Sequence, residues 1–106
     1  MLIEEVINLN ISDKKEPINN FLNEFGLRFD DDIDYSLVVY DKGKIIGTAS
    51  KAKNILKCFA ISKEYQGLGI TNTLVKKIED RMFKEGLYHF FIVTPSKNKH
   101  LFTSIE

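Results

Sequence analysis

Apolar residues recur along the chain in two rhythms, and each change of rhythm marks a new element. "LIEEVINL" (2–9) reads as a first strand. In "SDKKEPINNFLNEFG" (12–26), Ile18, Phe21, Leu22 and Phe25 fall on one helical face. Asp13 and Glu16 have capping-box spacing, Pro17 falls in the first turn, and Gly26 supplies the stop. "SLVVYDKGKIIGTAS" (36–50) predicts a hairpin turning at Asp41-Lys42-Gly43-Lys44, with Gly43 free to take a positive φ. "NILKCFAIS" (54–62) is mostly apolar and predicts a central strand buried on both faces. From Gly69 to Glu85 the period is helical: Ile70, Leu74, Val75, Ile78 and Met82 form one stripe, and Gly86 closes it. "YHFFIVT" (88–94) predicts another buried strand, and "SKNKHLFTSI" (96–105) the start of a short helix. The order β-α-β-β-β-α-β-α predicts an α/β fold with a mixed sheet, in one domain spanning 1–106.

Composition narrows the function. Fifteen basic and fifteen acidic residues cancel, which argues against a nucleic-acid binder with its clustered basic excess. No apolar run approaches the roughly 20 residues that cross a bilayer, and the N-terminus carries Glu4 and Glu5 in place of a basic leader. A cytoplasmic protein is the expectation. Cys58 is the sole cysteine, so no internal disulfide can form; its place in an apolar strand predicts a packed core residue.

The chemistry concentrates in "AISKEYQGLGITNTL" (60–74). Two glycines join a strand to a helix N-terminus, where the first backbone N–H groups have no partner inside the helix and the dipole favours an anion. Glycine at 67 and 69 lets backbone approach a bulky phosphate closely. A Walker-type loop would need Lys and Ser/Thr after its last glycine, but Ile70 and Thr71 stand there. A dinucleotide fold would show three glycines after the first strand of a parallel sheet. A tight turn without a ligand is the remaining structural alternative.

The spacing Gln-x-x-Gly-x-(Gly/Ala) resembles the acyl-CoA pyrophosphate loop of the GNAT acetyltransferase superfamily, and "CFAISKEYQGLGITNTLVKKI" (58–78) is similar to that family's central strand, loop and helix. Thr71 departs from the usual Gly or Ala; its hydroxyl could donate to a phosphate oxygen instead. The resemblance implies that Gln66, Gly67, Leu68, Gly69, Ile70, Thr71 and Asn72 bind the pyrophosphate of CoA or acetyl-CoA. It implies that the pantetheine runs beside Phe59, Ala60 and Ile61.

From about residue 54 to 105 the chain more narrowly resembles the N-terminal domain of the citrate lyase ligase family. Those enzymes use ATP and acetate to acetylate the thiol of citrate lyase's CoA-like prosthetic arm. The resemblance implies a fragment of a larger ligase, with ATP handled in a downstream domain and the acyl carrier subunit of citrate lyase as partner. It also implies a GNAT-like fold truncated before its last strands, whose open sheet edge a homodimer could cover. Two functions follow: a recognition module for the arm within that ligase, or a stand-alone acetyl-CoA-dependent N-acetyltransferase. The second needs an acid for the departing thiolate, and at the matching position stands Phe102, which has no proton to give.

Other residues are weaker candidates. Glu64 is a candidate base or a solvated turn carboxylate. "DDDID" (30–34) lacks calcium-loop spacing and reads as a solvated loop bordering an acceptor groove, where it would attract a cationic amine. His89 and His100 lie on different elements without partner cysteines, so no metal is expected. Lys97, Lys99 and His100 are candidates for the ribose phosphate of CoA, or plain surface.

Overall fold

A computed structural model describes residues 1–7 and 13–92. Its elements are β1 (Leu2–Ile7), α1 (Lys15–Asn23), β2 (Tyr35–Asp41), β3 (Lys44–Ala52), β4 (Ile55–Ile61), a 3-10 turn (Lys63–Tyr65), α2 (Ile70–Lys84) and β5 (Phe91–Ile92). The sheet runs β1-β2-β3-β4-β5; the first four strands are antiparallel, and β5 joins β4 in parallel. The mixed α/β architecture expected from the pattern is therefore present. The segment 96–105 and the last residues of 2–9 lie outside the described residues.

One helix covers each face. α1 buries Ile18, Phe21 and Leu22 against Val6, Ile33, Val38 and Ala60. α2 buries its whole stripe, Ile70, Leu74, Val75, Ile78 and Met82, against Leu37, Val39, Ile46, Leu56 and Ile61. Each such aliphatic side chain contributes about 1.5–3 kcal/mol on burial. Both helices end as their glycines suggest. Gly26 N–H bonds the Asn23 carbonyl and Leu27 N–H that of Leu22; Gly86 and Leu87 do the same to Phe83 and Met82. The start of α1 differs from expectation. Lys14 caps it with no side-chain bond, so the Asp13–Glu16 capping box is not made.

The strand 54–62 is buried on both faces as expected, but its register is irregular. Thr48 faces Ala60 and Ser50 faces Lys57, so β4 carries one residue more than β3 between these pairs. This bulge reverses the parity of the strand. Leu56 lies on the α2 face with Phe59 and Ile61, while Cys58 and Ala60 lie on the α1 face. Lys57, Cys58 and Phe59 are half-buried. The apolar run fails to alternate because both its faces enter a core and its register breaks at the bulge. The expected burial of 88–94 is corrected at two of its described positions, Tyr88 being 66% and Phe91 65% exposed, while 93–94 lie outside the described residues. Tyr88 packs its ring on Phe83, and strand pairing takes in Phe91 and Ile92 among the described residues.

Lys51 on β3 is fully buried, yet charged. Its Nζ donates to Asp34 Oδ1 at 2.7 Å, Glu85 Oε1 at 2.8 Å and the Lys53 carbonyl at 3.1 Å. Asp34 Oδ2 accepts from Lys53 N–H at 2.6 Å, and Arg81 binds the second Glu85 oxygen at 2.7 Å while stacking over Tyr35. Burial opposes ionisation of Glu85, but the hydrogen bonds from Lys51 and Arg81 outweigh it and hold that carboxyl below its ordinary value.

Two outcomes are expected. Lys51→Met should cost about 2 kcal/mol in urea unfolding, below the usual figure for a broken buried pair because both carboxylates keep a third or more of their surface in water. An unchanged midpoint would show that the ammonium adds nothing. For Glu85, a depressed folded-state value means stability that is present above the unfolded carboxyl value of about 4.3 and is lost as pH falls through the folded one. The wild-type urea midpoint should therefore drop between pH 6 and pH 3, and Glu85→Gln should drop less over the same interval.

Candidate functional site

β4 ends where Ser62 N–H bonds the Ile46 carbonyl at 2.8 Å. The 3-10 turn follows, closed by Tyr65 N–H on the Ser62 carbonyl at 2.9 Å. Two side chains then tie the loop down. Gln66 Nε2 donates to the Ile61 carbonyl at 2.9 Å, and the Tyr65 hydroxyl donates to Asp41 on the β2–β3 turn. Gly67 (φ +82°) and Gly69 (φ +81°) are both left-handed, and α2 starts at Ile70.

The loop leaves a run of donors exposed. The first backbone bond of the helix is Thr73 N–H on the Gly69 carbonyl at 3.2 Å. The N–H groups of Gly67, Leu68, Gly69, Ile70, Thr71 and Asn72 find no acceptor among the described residues. No acidic side chain occupies the first turn of α2 to neutralise its positive end. A Cβ added to Gly67 or Gly69 would meet nothing within 4 Å, so the space above both residues is open. Left-handed backbone is by itself a sufficient reason for glycine here. The ligand argument therefore rests on the six orphan donors and the open space, not on the glycines alone.

The remaining expected residues are distributed as follows. Ala60 and Ile61 are buried in opposite cores, and Phe59 packs half-buried against the α2 side. Ile70 is buried and anchors the helix start; Leu68 is 65% exposed. Glu64 is exposed on the 3-10 turn. His89 is exposed, and its carbonyl accepts from Asn54 Nδ2 at 3.2 Å. Lys97, Lys99, His100 and Phe102 lie outside the described residues.

The four aspartates of the acidic run are exposed, as a solvated loop requires, yet each also pairs with a lysine. Asp30 and Asp32 grip Lys57 at 3.0 and 3.2 Å, Asp31 pairs with Lys15 at 3.1 Å, Asp34 meets the buried Lys51, and Ile33 is buried. Asp30 and Asp31 border a cleft of about 850 Å³ beside the start of α1, whose walls include Asp13, Glu16, Asn19 and Arg28. Nothing in the pattern of "DDDID" could have located its lysine partners, which come from β3, β4 and α1. Cys58 is half-buried rather than in the core proper; burial pushes its thiol up to about 11.

A model of the acetyltransferase (GNAT) family matches residues 3–102. Among curated relatives, the [citrate [pro-3S]-lyase] ligase of Haemophilus influenzae is 33% identical over 88 residues, covering 82% of this chain and 26% of the relative. That of Klebsiella pneumoniae is 25% identical over 103 residues, 97% of this chain and 30% of the relative. The chain thus spans a quarter to a third of the length of the curated relatives it matches. Among solved structures, a ribosomal-protein-alanine N-acetyltransferase from Brucella melitensis superposes with a TM-score of 0.69 at 12% identity, over 96% of this chain and 88% of that one. The aminoglycoside N-acetyltransferase AAC(6')-Iy, solved in complex with CoA, gives 0.64 at 11% identity over 99% and 91%.

The raised Cys58 thiol carries its own expectation. With a value near 11, its thiolate fraction at pH 8 is on the order of a hundredfold below that of an unperturbed cysteine. Alkylation by iodoacetamide at pH 8 should be correspondingly slow in the folded chain and accelerate in urea. Rapid labelling of the folded chain would contradict the burial described.

Proposed function

The chain belongs to the acetyltransferase (GNAT) family, and from that membership we propose that the loop from Gln66 to Asn72 holds the pyrophosphate of CoA, acetyl-CoA or a CoA-like prosthetic arm. The observation that carries this reading is the row of six N–H groups at Gly67 to Asn72 with no acceptor among the described residues, at a helix N-terminus where both glycines face open space. Gln66 serves as the strut that sets the loop on β4, its side-chain amide already spent on Ile61. Thr71, half-buried in the first turn, offers a hydroxyl where the family usually has none. An amide-rich pantetheine would lie along β4 at Phe59 to Ile61, using backbone groups as an added strand does. CoA supplies a thiol that carries the acyl group as a thioester; the protein's part in this reading is to bind and orient that arm.

Similarity to the citrate lyase ligases supports one such arm in particular, the CoA-like group on the acyl carrier subunit of citrate lyase. In this reading the domain is a recognition module of a ligase, and ATP and acetate are handled by the portion of such ligases beyond the matched quarter. Phe102 favours the module over amine acetylation, since a phenyl ring cannot protonate a leaving thiolate.

Calorimetry with CoA tests the cradle. The wild-type chain should bind, and Gly69→Val should bind more than about tenfold more weakly. Because φ +81° alone penalises valine, Gly69→Asn is the informative companion: asparagine tolerates left-handed backbone but still places a Cβ over the donors. It should also lose CoA. Retention by Gly69→Asn would reduce the glycine to a turn residue, and no binding by wild type would remove the site. Rapid acetyl transfer from acetyl-CoA to a panel of amines would favour the stand-alone N-acetyltransferase instead.

A further inference from the structure

Just upstream of the proposed arm path, β4 holds a strained residue. Cys58 sits at φ +59°, left-handed backbone that a non-glycine residue rarely adopts. It marks the bulge, where three residue steps on β4 oppose two on β3. Strain of this kind persists only where the surroundings over-determine it, and it gathers at functional segments. Here the surroundings are identifiable. Thr48 Oγ1 donates to the Cys58 carbonyl at 3.0 Å, Cys58 Sγ reaches the Arg28 carbonyl at 3.5 Å, and Lys57 is held by Asp30 and Asp32.

Thr48 is the informative member. It is fully buried in β3, opposite Val38 and Ala60. Valine would fill that volume and suit a strand as well, without a hydroxyl to desolvate. The hydroxyl has one described partner, the carbonyl of the strained residue. A bulge increases local twist and re-aims the residues beyond it. The residues beyond this one are Phe59, Ala60 and Ile61, which run directly into the loop.

We propose that Thr48 is a positioning residue: by holding the Cys58 carbonyl it fixes the bulge that aims the backbone of Phe59 to Ile61 along the extended arm of CoA. This rests on the reading of Gly67 to Asn72 as a pyrophosphate cradle. It deepens that reading by separating what holds the phosphates from what holds the arm. Thr48 touches neither; it acts through β4.

The two parts of the ligand can be probed apart, with CoA for arm and phosphates together and ADP for the pyrophosphate without the arm. Titrations of the 106-residue chain should show Thr48→Val weakening CoA by roughly tenfold, the worth of one buried hydrogen bond and its orphaned carbonyl, while ADP changes less than about twofold. Thr48→Ser, which keeps the hydroxyl, should bind both as wild type does. Adding Cys58→Gly to Thr48→Val should restore CoA, because glycine holds a positive φ without a clamp. Wild-type CoA affinity in Thr48→Val overturns the proposal alone. So does equal loss of CoA and ADP, which marks a general structural defect. If Thr48→Val does not fold, the double variant decides: CoA bound as by wild type supports the proposal, and ADP bound with CoA lost overturns it. A wild-type chain that binds neither probe brings down the cradle itself, and this inference with it.

Discussion

An ammonium buried in a protein must bring its counter-charges with it, and Lys51 organises much of this fold by that requirement. To keep its charge it draws in Asp34 from the acidic loop, Glu85 from the end of α2 and the carbonyl of Lys53 from the β3–β4 turn. Three segments distant in sequence are thereby pinned to one strand. Pinning the C-terminal end of α2 matters for its other end. A 15-residue helix is a rigid rod of about 22 Å, so a fixed far end and a buried stripe leave little freedom for the N–H groups at Ile70 to Asn72. Replacement of such a triad by apolar residues is often harmless elsewhere. Here it would also release the acidic loop and with it the partners of Lys57.

The loop between β4 and α2 combines two demands in the same residues. Its backbone must turn from a strand into a helix in a short span, which requires left-handed positions at 67 and 69. In the proposed reading it must also leave its donors uncovered for a ligand. Glycine satisfies both, so glycine alone cannot distinguish them; the uncovered donors and the lack of acid in the first turn do. Gln66 and Tyr65 add a third element, for they bind the loop to β4 and to the β2–β3 turn through side chains and keep its amides out of the bonding. Membership of the GNAT family fits this division of labour between side-chain struts and backbone donors.

Much of this was legible in the sequence where one local cause acts. The α2 stripe, the glycine stops at 26 and 86, the hairpin at 41–44 and the loop glycines each follow from spacing and backbone conformation within a few residues. What was not legible depended on distant partners. No local pattern signals that Lys51 is buried, that the aspartates of 30–34 are taken by lysines from three elements, or that Tyr65 reaches Asp41. Asp13 and Glu16 carry the right types at the right spacing, yet the helix begins one residue later and leaves the box unmade. In β4 the burial of both faces was legible from the apolar run, but the break in its cross-strand register was not.

That register gives β4 something like a reading frame. Leu56 and Ile61, an odd number of residues apart, share the α2 face only because the extra residue at the bulge lies between them. Deleting Lys57 or Cys58 would make that separation even, so strict alternation alone would hold Leu56, Phe59 and Ile61 on the α2 face and Ala60 on the α1 face. The extra residue therefore leaves the assignment of side chains to the two cores as an unbroken strand would have it. What its removal would alter is the local twist of the strand, and with it the direction in which Phe59 to Ile61 run into the loop.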